Sequence, residues 1–275
     1  MGCSADRDAN LAKAERYIRE AATKGARLVC LQELFGTLFF PYTIDAANFS
    51  LAEDDAGPTM RLMCELAGSL GVWIAAGLFE SDARIGGRYF NSVLLVSPEG
   101  TITGRYRKTF IPLRRRNSEH YYFTPGNLGV PVFQIETLRV AFNICYDRHF
   151  PELARVAALQ GADLLVYPSA SLADPGRVNT WNAEMVSRAC ENVFFVMGVG
   201  RSGIEEGRKF SGQSMIVDPL GTITAALGIE EEGLIMADVS AATVAHTRID
   251  YPHLRDLRRD VYERLLELTG VEAGK

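Results

Sequence analysis

Apolar and polar positions alternate along this chain between a helical and a strand-like rhythm, from one end to the other. Across residues 10–24, Leu11, Ala14, Ile18 and Ala21/Ala22 fall on one face, which is the spacing of an amphipathic helix. Gly25 ends it, and residues 27–32 then read as a short buried strand. Gly57-Pro58 opens a second helix running to about Leu70, with proline in its first turn. Residues 72–77 predict another strand. Residues 93–96, the turn Ser97-Pro98-Glu99-Gly100 and residues 101–103 predict a hairpin.

The second half repeats this order. Lys24-Gly25-Ala26-Arg27-Leu28 is echoed by Gln160-Gly161-Ala162-Asp163-Leu164, and the run from Val72 by Val193-Phe194-Phe195-Val196. The hairpin turn is echoed by Asp218-Pro219-Leu220-Gly221-Thr222-Ile223-Thr224. The last two pairs share one offset of 121 residues, Val72 to Val193 and Ser97 to Asp218. Two similar α/β halves are expected, each a sheet with helices on one face. Stacking the two bare sheet faces gives a four-layer α-β-β-α sandwich, read as a single domain over residues 1–275. The repeat also locates a site. Glu33, Cys145 and Ser169 each fall at the carboxyl end of a predicted strand, where α/β folds commonly place ligands.

Composition narrows the function classes. A formal charge of −5 supplies no basic face for nucleic acid, and Arg114-Arg115-Arg116 reads as solvated surface. No apolar stretch approaches bilayer length, and the start is polar, unlike a secretory leader. The five cysteines (Cys3, Cys30, Cys64, Cys145 and Cys190) are odd in number and lack C-x-x-C spacing. That pattern argues against a disulfide framework or a zinc site and fits a reducing, cytoplasmic setting.

The chain lacks the G-x-S-x-G, H-E-x-x-H, P-loop and dinucleotide fingerprints, and His120, His149, His246 and His253 are scattered. Cysteine, carboxylate and lysine chemistry remains. Cys145 ends an apolar strand and precedes Tyr146-Asp147-Arg148-His149 and a helix opening at Phe150-Pro151-Glu152. A thiol there sits near backbone N–H groups and a helix N-terminus that favour thiolate. The bland alternative is a small core residue, the usual fate of cysteine and the better fit for Cys30, Cys64 and Cys190. Glu33, followed by Leu34-Phe35, is a desolvated carboxylate suited to general-base work, or an ordinary strand-end acid. Spacing alone does not separate Lys108 or Glu119 from their polar neighbours.

Four segments together carry more. Gln32-Glu33-Leu34-Phe35, Tyr106-Arg107-Lys108-Thr109-Phe110-Ile111-Pro112, residues 119–126 and Ile144-Cys145-Tyr146-Asp147-Arg148-His149-Phe150-Pro151-Glu152 resemble the signature segments of the nitrilase superfamily of carbon–nitrogen hydrolases, in the family's order. The resemblance implies an α-β-β-α sandwich without metal or organic cofactor. It implies Glu33 as base, Cys145 as nucleophile, Lys108 and the Tyr146 N–H as oxyanion donors, and Glu119 beside Lys108. Tyr146, Arg148 and Ser171 are the substrate-binding positions it implies.

Tyr146-Asp147 departs from the Trp-Glu usual in true nitrilases, which favours an amide or ureide. Arg148 stands where putrescine-directed carbamoylases tend to have glutamine. Arginine there is typical of branches acting on N-carbamoyl amino acids, whose carboxylate it meets; a salt bridge to Asp147, Glu152 or another helix is the alternative. Gly203-Ile204-Glu205-Glu206-Gly207 resembles the N-carbamoyl-D-amino-acid hydrolases, whereas His149 resembles the β-ureidopropionase branch. The expected substrate is therefore a small N-carbamoyl amino acid. An ω-amidase or aliphatic amidase is the runner-up, and a non-catalytic binding member of the fold is the rival from another class. Family chains begin with a strand ending in Gln-Met, and Met1 aligns with that methionine, so the first strand is expected to be absent here, through a truncated start or with another segment covering the sheet edge. Residues 253–268 predict a helix with Leu254, Leu257, Val261 and Leu265 on one side, and the resemblance implies an even homo-oligomer.

Overall fold

The computed structural model describes residues 1–113 and 117–269; the Arg114–Arg116 run lies outside the described residues. Its first half builds a four-stranded sheet in the order β1-β2-β3-β4: β1 (Leu28–Cys30), β2 (Trp73–Ser81), β3 (Tyr89–Val96) and β4 (Ile102–Arg107). The second half builds a six-stranded sheet from β5 (Val132–Ile135), β6 (Leu138–Phe142), β7 (Leu164–Ser169), β8 (Phe195–Gly200), β11 (Met215–Val217) and β12 (Ile223–Ala226). Its order is β12-β11-β8-β7-β6-β5, and β9 (Ile204–Glu205) and β10 (Arg208–Lys209) form a separate short hairpin.

Helices α1 (Arg7–Thr23) and α2 (Pro58–Leu70) cover the outer face of the first sheet, where Leu11, Ala14, Ile18, Met60 and Met63 meet Ile74, Leu78 and Leu94. Helices α4 (Pro151–Leu159) and α5 (Pro175–Asn192) cover the second, where Leu153, Ala157, Trp181 and Met185 meet Leu165, Tyr167 and Val196. Between the sheets, Ala75, Val93, Leu95 and Tyr106 from one pack on Val140, Phe142, Leu164, Val166 and Phe195 from the other. Strands alternate their side chains between faces, so each sheet serves two apolar layers at once. The α-β-β-α order read from the repeat is the observed one.

The two halves reuse the same local devices. Gly25 and Gly161 end α1 and α4 at φ +88° and +87°, a left-handed step that glycine takes without a Cβ penalty. In the two matching hairpins, Ser97 N donates to Thr101 O and Asp218 N to Thr222 O, each at 2.9 Å. The halves differ beside the strand that leaves the first helix. β7 is flanked by β6 and β8, whereas among the described residues β1 pairs with β2 alone. A slot of about 540 Å³ lies there, lined by Leu28–Cys30, by Met197 and Ile216 of the other sheet, and by residues 234–239. Residues 234–239 make no backbone hydrogen bond to another described residue. One edge of β1 is thus unpaired among the described residues.

The C-terminal expectation needs correction. Residues 253–258 are turns beyond Pro252, and the helix α7 spans Arg259–Leu268, following α6 (Ala241–Asp250). Leu254 packs on the α4/α5 core instead of continuing a helical stripe. No helix among the described residues is long and apolar enough to cross a membrane.

Candidate active site

Three loops at the carboxyl ends of β1, β6 and β7, with the loop after β4, converge on one buried cluster. Glu33 lies just past β1 and is fully buried. Its Oε1 accepts from Lys108 Nζ at 2.9 Å and from Asn91 Nδ2 at 2.7 Å, and its Oε2 accepts from the Ala170 N–H at 2.8 Å. Lys108 follows β4 and also donates to Glu119 Oε2 at 2.6 Å. Glu119 opens the one-turn helix α3 (Glu119–Tyr122), and its Oε1 accepts from Asn117 Nδ2 at 3.1 Å. Burying three charges is tolerable only when each is paired and its remaining valences are hydrogen-bonded, and that is the arrangement here. Burial alone would lower the Lys108 pKa, but the Glu119 and Glu33 carboxylates hold it above its ordinary value. Burial pushes the Glu119 carboxyl up against the pull of Lys108.

The segment 124–126 explains how Lys108 is held. Gly126 N donates to Lys108 O at 2.7 Å, and a Cβ at Gly126 would stand 2.1 Å from Arg107 O. Only glycine permits that approach.

Cys145 is buried at the start of a 3-10 turn, Cys145–His149, with φ +45°. A left-handed non-glycine residue is held there by its surroundings. Asp147 accepts from Ile144 N at 2.9 Å, from Phe110 N at 2.9 Å and from the Tyr106 hydroxyl at 2.7 Å, tying the turn to the segment that carries Lys108. Burial raises the Asp147 carboxyl to about 6. Arg148 NH1 donates to Cys145 O at 2.9 Å and lies 3.7 Å from Sγ. Leu34, at φ +50°, is pinned similarly, since buried Arg201 donates to Glu33 O at 3.0 Å and Leu34 O at 2.7 Å.

One expectation meets an opposing effect. The turn was read as favouring thiolate, yet burial, and then the Glu33 charge, raise the Cys145 pKa above its ordinary value despite Lys108 and Arg148 nearby. A low-dielectric setting penalises the ion more than the turn's dipoles and the two cations help it.

Above it lies a narrow cleft with about 20 Å³ of free space, room for about one water. Phe39, Tyr42, Asn117, Tyr146, His149 and Ser171 are among its walls. Ser171 Oγ is 3.9 Å from Cys145 Sγ and 3.1 Å from Ser169 Oγ. The Tyr146 ring packs edge-on against His149 and Phe150. Every site residue singled out in the sequence therefore lies in or beneath this cleft. Arg148 takes the salt bridge to another helix, with Nε 2.8 Å from Glu184 Oε2 of α5, and Glu184 also contacts His149 Nδ1 at 2.5 Å. Asn91, Asn117, Glu184, Arg201 and the Ala170 N–H were not foreseen. The available signal was a polar residue inside an apolar run, as in Phe90-Asn91-Ser92-Val93. Among the described residues, no group of three or more His, Cys, Asp or Glu side chains could hold a metal ion.

Comparison with known proteins places this geometry. The family model described as carbon-nitrogen hydrolase matches residues 2–249. The N-carbamoylputrescine amidase of Solanum lycopersicum is 36% identical over 284 residues, covering 98% of this chain and 94% of its own. The crystal structure of a carbon-nitrogen hydrolase from Helicobacter pylori G27 superposes with a TM-score of 0.90 at 29% identity, covering 96% of this chain and 95% of that one. A mutant amidase from Nesterenkonia sp. AN1, at 25% identity and TM-score 0.79 with 96% and 93% coverage, carries the acetamide moiety of fluoroacetamide covalently added at its active-site cysteine. With four buried reactive groups on a shared fold and a family match over nearly its whole length, the chain belongs to the carbon–nitrogen hydrolase family and is an enzyme of that class.

Proposed function

We propose that this enzyme hydrolyses a small N-carbamoyl amino acid, or a related linear amide, through a covalent intermediate on Cys145. The observation that carries the reading is the buried Glu33–Lys108–Glu119 chain beneath a thiol kept neutral by burial. A neutral buried thiol needs a base at the moment of attack, and Glu33 takes that role. As the Cys145 sulfur bonds to the carbonyl carbon, its proton passes to Glu33 and negative charge moves to the carbonyl oxygen. Lys108 and the Tyr146 N–H bind that oxygen, and both are fixed in advance, so little reorganisation accompanies the charge. Glu119 holds Lys108. Glu33 returns the proton to the departing nitrogen, ammonia or amine leaves, and an acyl thioester remains on Cys145. Water, deprotonated by Glu33, cleaves it and restores the thiol.

The narrow cleft suits a flat carbamoyl or carboxamide end. Arg148 and Ser171 border the position of that end, and Arg148 braces the Cys145 carbonyl as well. The likeness to a protein named for a ureide supports the ureide over a plain amide. On α7, Val261, Leu266 and Leu268 are each more than 60% exposed, which supports burial of this helix between subunits of a homodimer or larger even assembly.

The test is ammonia release from N-carbamoyl-D- and L-amino acids, N-carbamoyl-β-alanine and the corresponding ω-amides. Turnover of the N-carbamoyl acids is expected. Ammonia from ω-amides with none from any N-carbamoyl acid would transfer the assignment to an amidase.

A further inference from the structure

Two arginines line the cleft above Cys145, and their charges are committed to very different degrees. Arg148 is buried, with Nε on Glu184, NH1 on the Cys145 carbonyl and its guanidinium 5.4 Å from the centre of the Trp181 ring. The charge of Lys108 is balanced between Glu33 and Glu119. Beside the thiol, both cations, Lys108 and Arg148, are thus already paired with the carboxylates of Glu33, Glu119 and Glu184. A substrate carboxylate placed deep in the cleft would find both nearby cations already paired, in a medium that makes an unpaired charge costly.

Arg177 is different. It stands in the first turn of α5, and its side chain is 35% exposed where it joins the cleft wall. Its ion partner is Asp174, three residues earlier, at 2.9 Å from Nε, and Asp174 is itself 52% exposed. Such a solvent-facing pair is weak and readily exchanged for a better anion. The two terminal guanidinium nitrogens make no hydrogen bond to another described residue. They form the flat two-pronged donor that matches a carboxylate. The described lining offers no free counter-charge for a cationic substrate, because Glu119, its one carboxylate, is already ion-paired with Lys108.

We propose that Arg177 binds the substrate's carboxylate at the mouth of the cleft, with the carbamoyl end directed inward to Cys145. This deepens the reading given above and rests on it. Arg177 makes the cleft select an anionic ureide over a neutral one and over the cationic ureide for which the tomato relative is named.

The test uses the whole enzyme and two readouts: kcat/KM, and protection of Cys145 against iodoacetamide, which needs no turnover. The ligands are N-carbamoyl-β-alanine, N-propylurea and N-carbamoylputrescine. The native enzyme is expected to prefer the acid over both others. In Arg177→Gln the ratio of acid to neutral ligand falls about 10- to 100-fold, the effect of losing a charge-assisted pair of hydrogen bonds. Arg177→Lys restores part of that ratio, which a purely structural role would not produce. An unchanged ratio in Arg177→Gln, or a native preference for the putrescine derivative, overturns the proposal. If no ureide is bound or hydrolysed, the ureide reading fails by itself, and the same ratio is read with succinamate against butyramide: its fall in Arg177→Gln upholds the carboxylate role, and its constancy refutes it.

Discussion

The cleft above Cys145 and the slot beside β1 differ in nearly every physical respect. The cleft holds about 20 Å³ and rests on Glu33, Lys108 and Glu119, all buried and all paired. The slot holds about 540 Å³ and is lined mostly by Ala, Leu, Ile, Val and Met side chains, between the open edge of β1 and the irregular residues 234–239. Size and chemistry are thus inversely placed. A buried ion cluster cannot persist without near-complete hydrogen bonding, so its space is small and its positions are over-determined. An apolar slot carries no such demand. It costs contacts and unpaired backbone, a loss of stability and not of chemistry.

Perturbations should separate the two regions. Glu33→Gln keeps the shape and removes the base, and kcat should fall about 10²- to 10⁴-fold with little change in Tm; a loss below tenfold would remove Glu33 from proton transfer. A smaller effect concerns pH. Because burial holds the Cys145 pKa above its ordinary 9.0, its alkylation by iodoacetamide should still be climbing at pH 9. A plateau reached by pH 7 would mean a resting thiolate. The smallest effect belongs to the slot. Met197→Ala should lower stability by about 1 kcal/mol in urea unfolding, below the range for a fully buried methionine because Met197 is half-buried and borders a void, and should leave kcat/KM unchanged. A large activity loss there would couple the slot to the site.

Much of this was legible in the chain, for reasons that differ by feature. The halves were readable because each device is local: a glycine after a helix, or a Pro-x-Gly turn in a hairpin. Glu33, Lys108, Glu119 and Cys145 came from motif order, and their convergence follows from strand ends in a two-sheet stack. The clamps that hold them were not readable. Arg201 reaches the Glu33 carbonyl across 168 residues, Asn91 reaches the Glu33 carboxylate across 58 and Arg148 reaches Glu184 across 36. No periodicity encodes such pairings. The burial that opposes a Cys145 thiolate was hidden for a related reason, since a turn's local dipoles are visible in sequence and the depth of burial is not. The C-terminal stripe misled because residues 253–258 share a helical spacing yet form a turn and irregular backbone before α7.

The most direct test is quenched-flow mass spectrometry of the native enzyme turning over N-carbamoyl-β-alanine. The account predicts a transient acyl adduct on the peptide containing Cys145, absent from Cys145→Ala, whose turnover falls by at least about 10⁴-fold. Undiminished turnover in Cys145→Ala, or an adduct mapped to Cys3, Cys30, Cys64 or Cys190 instead, would contradict it.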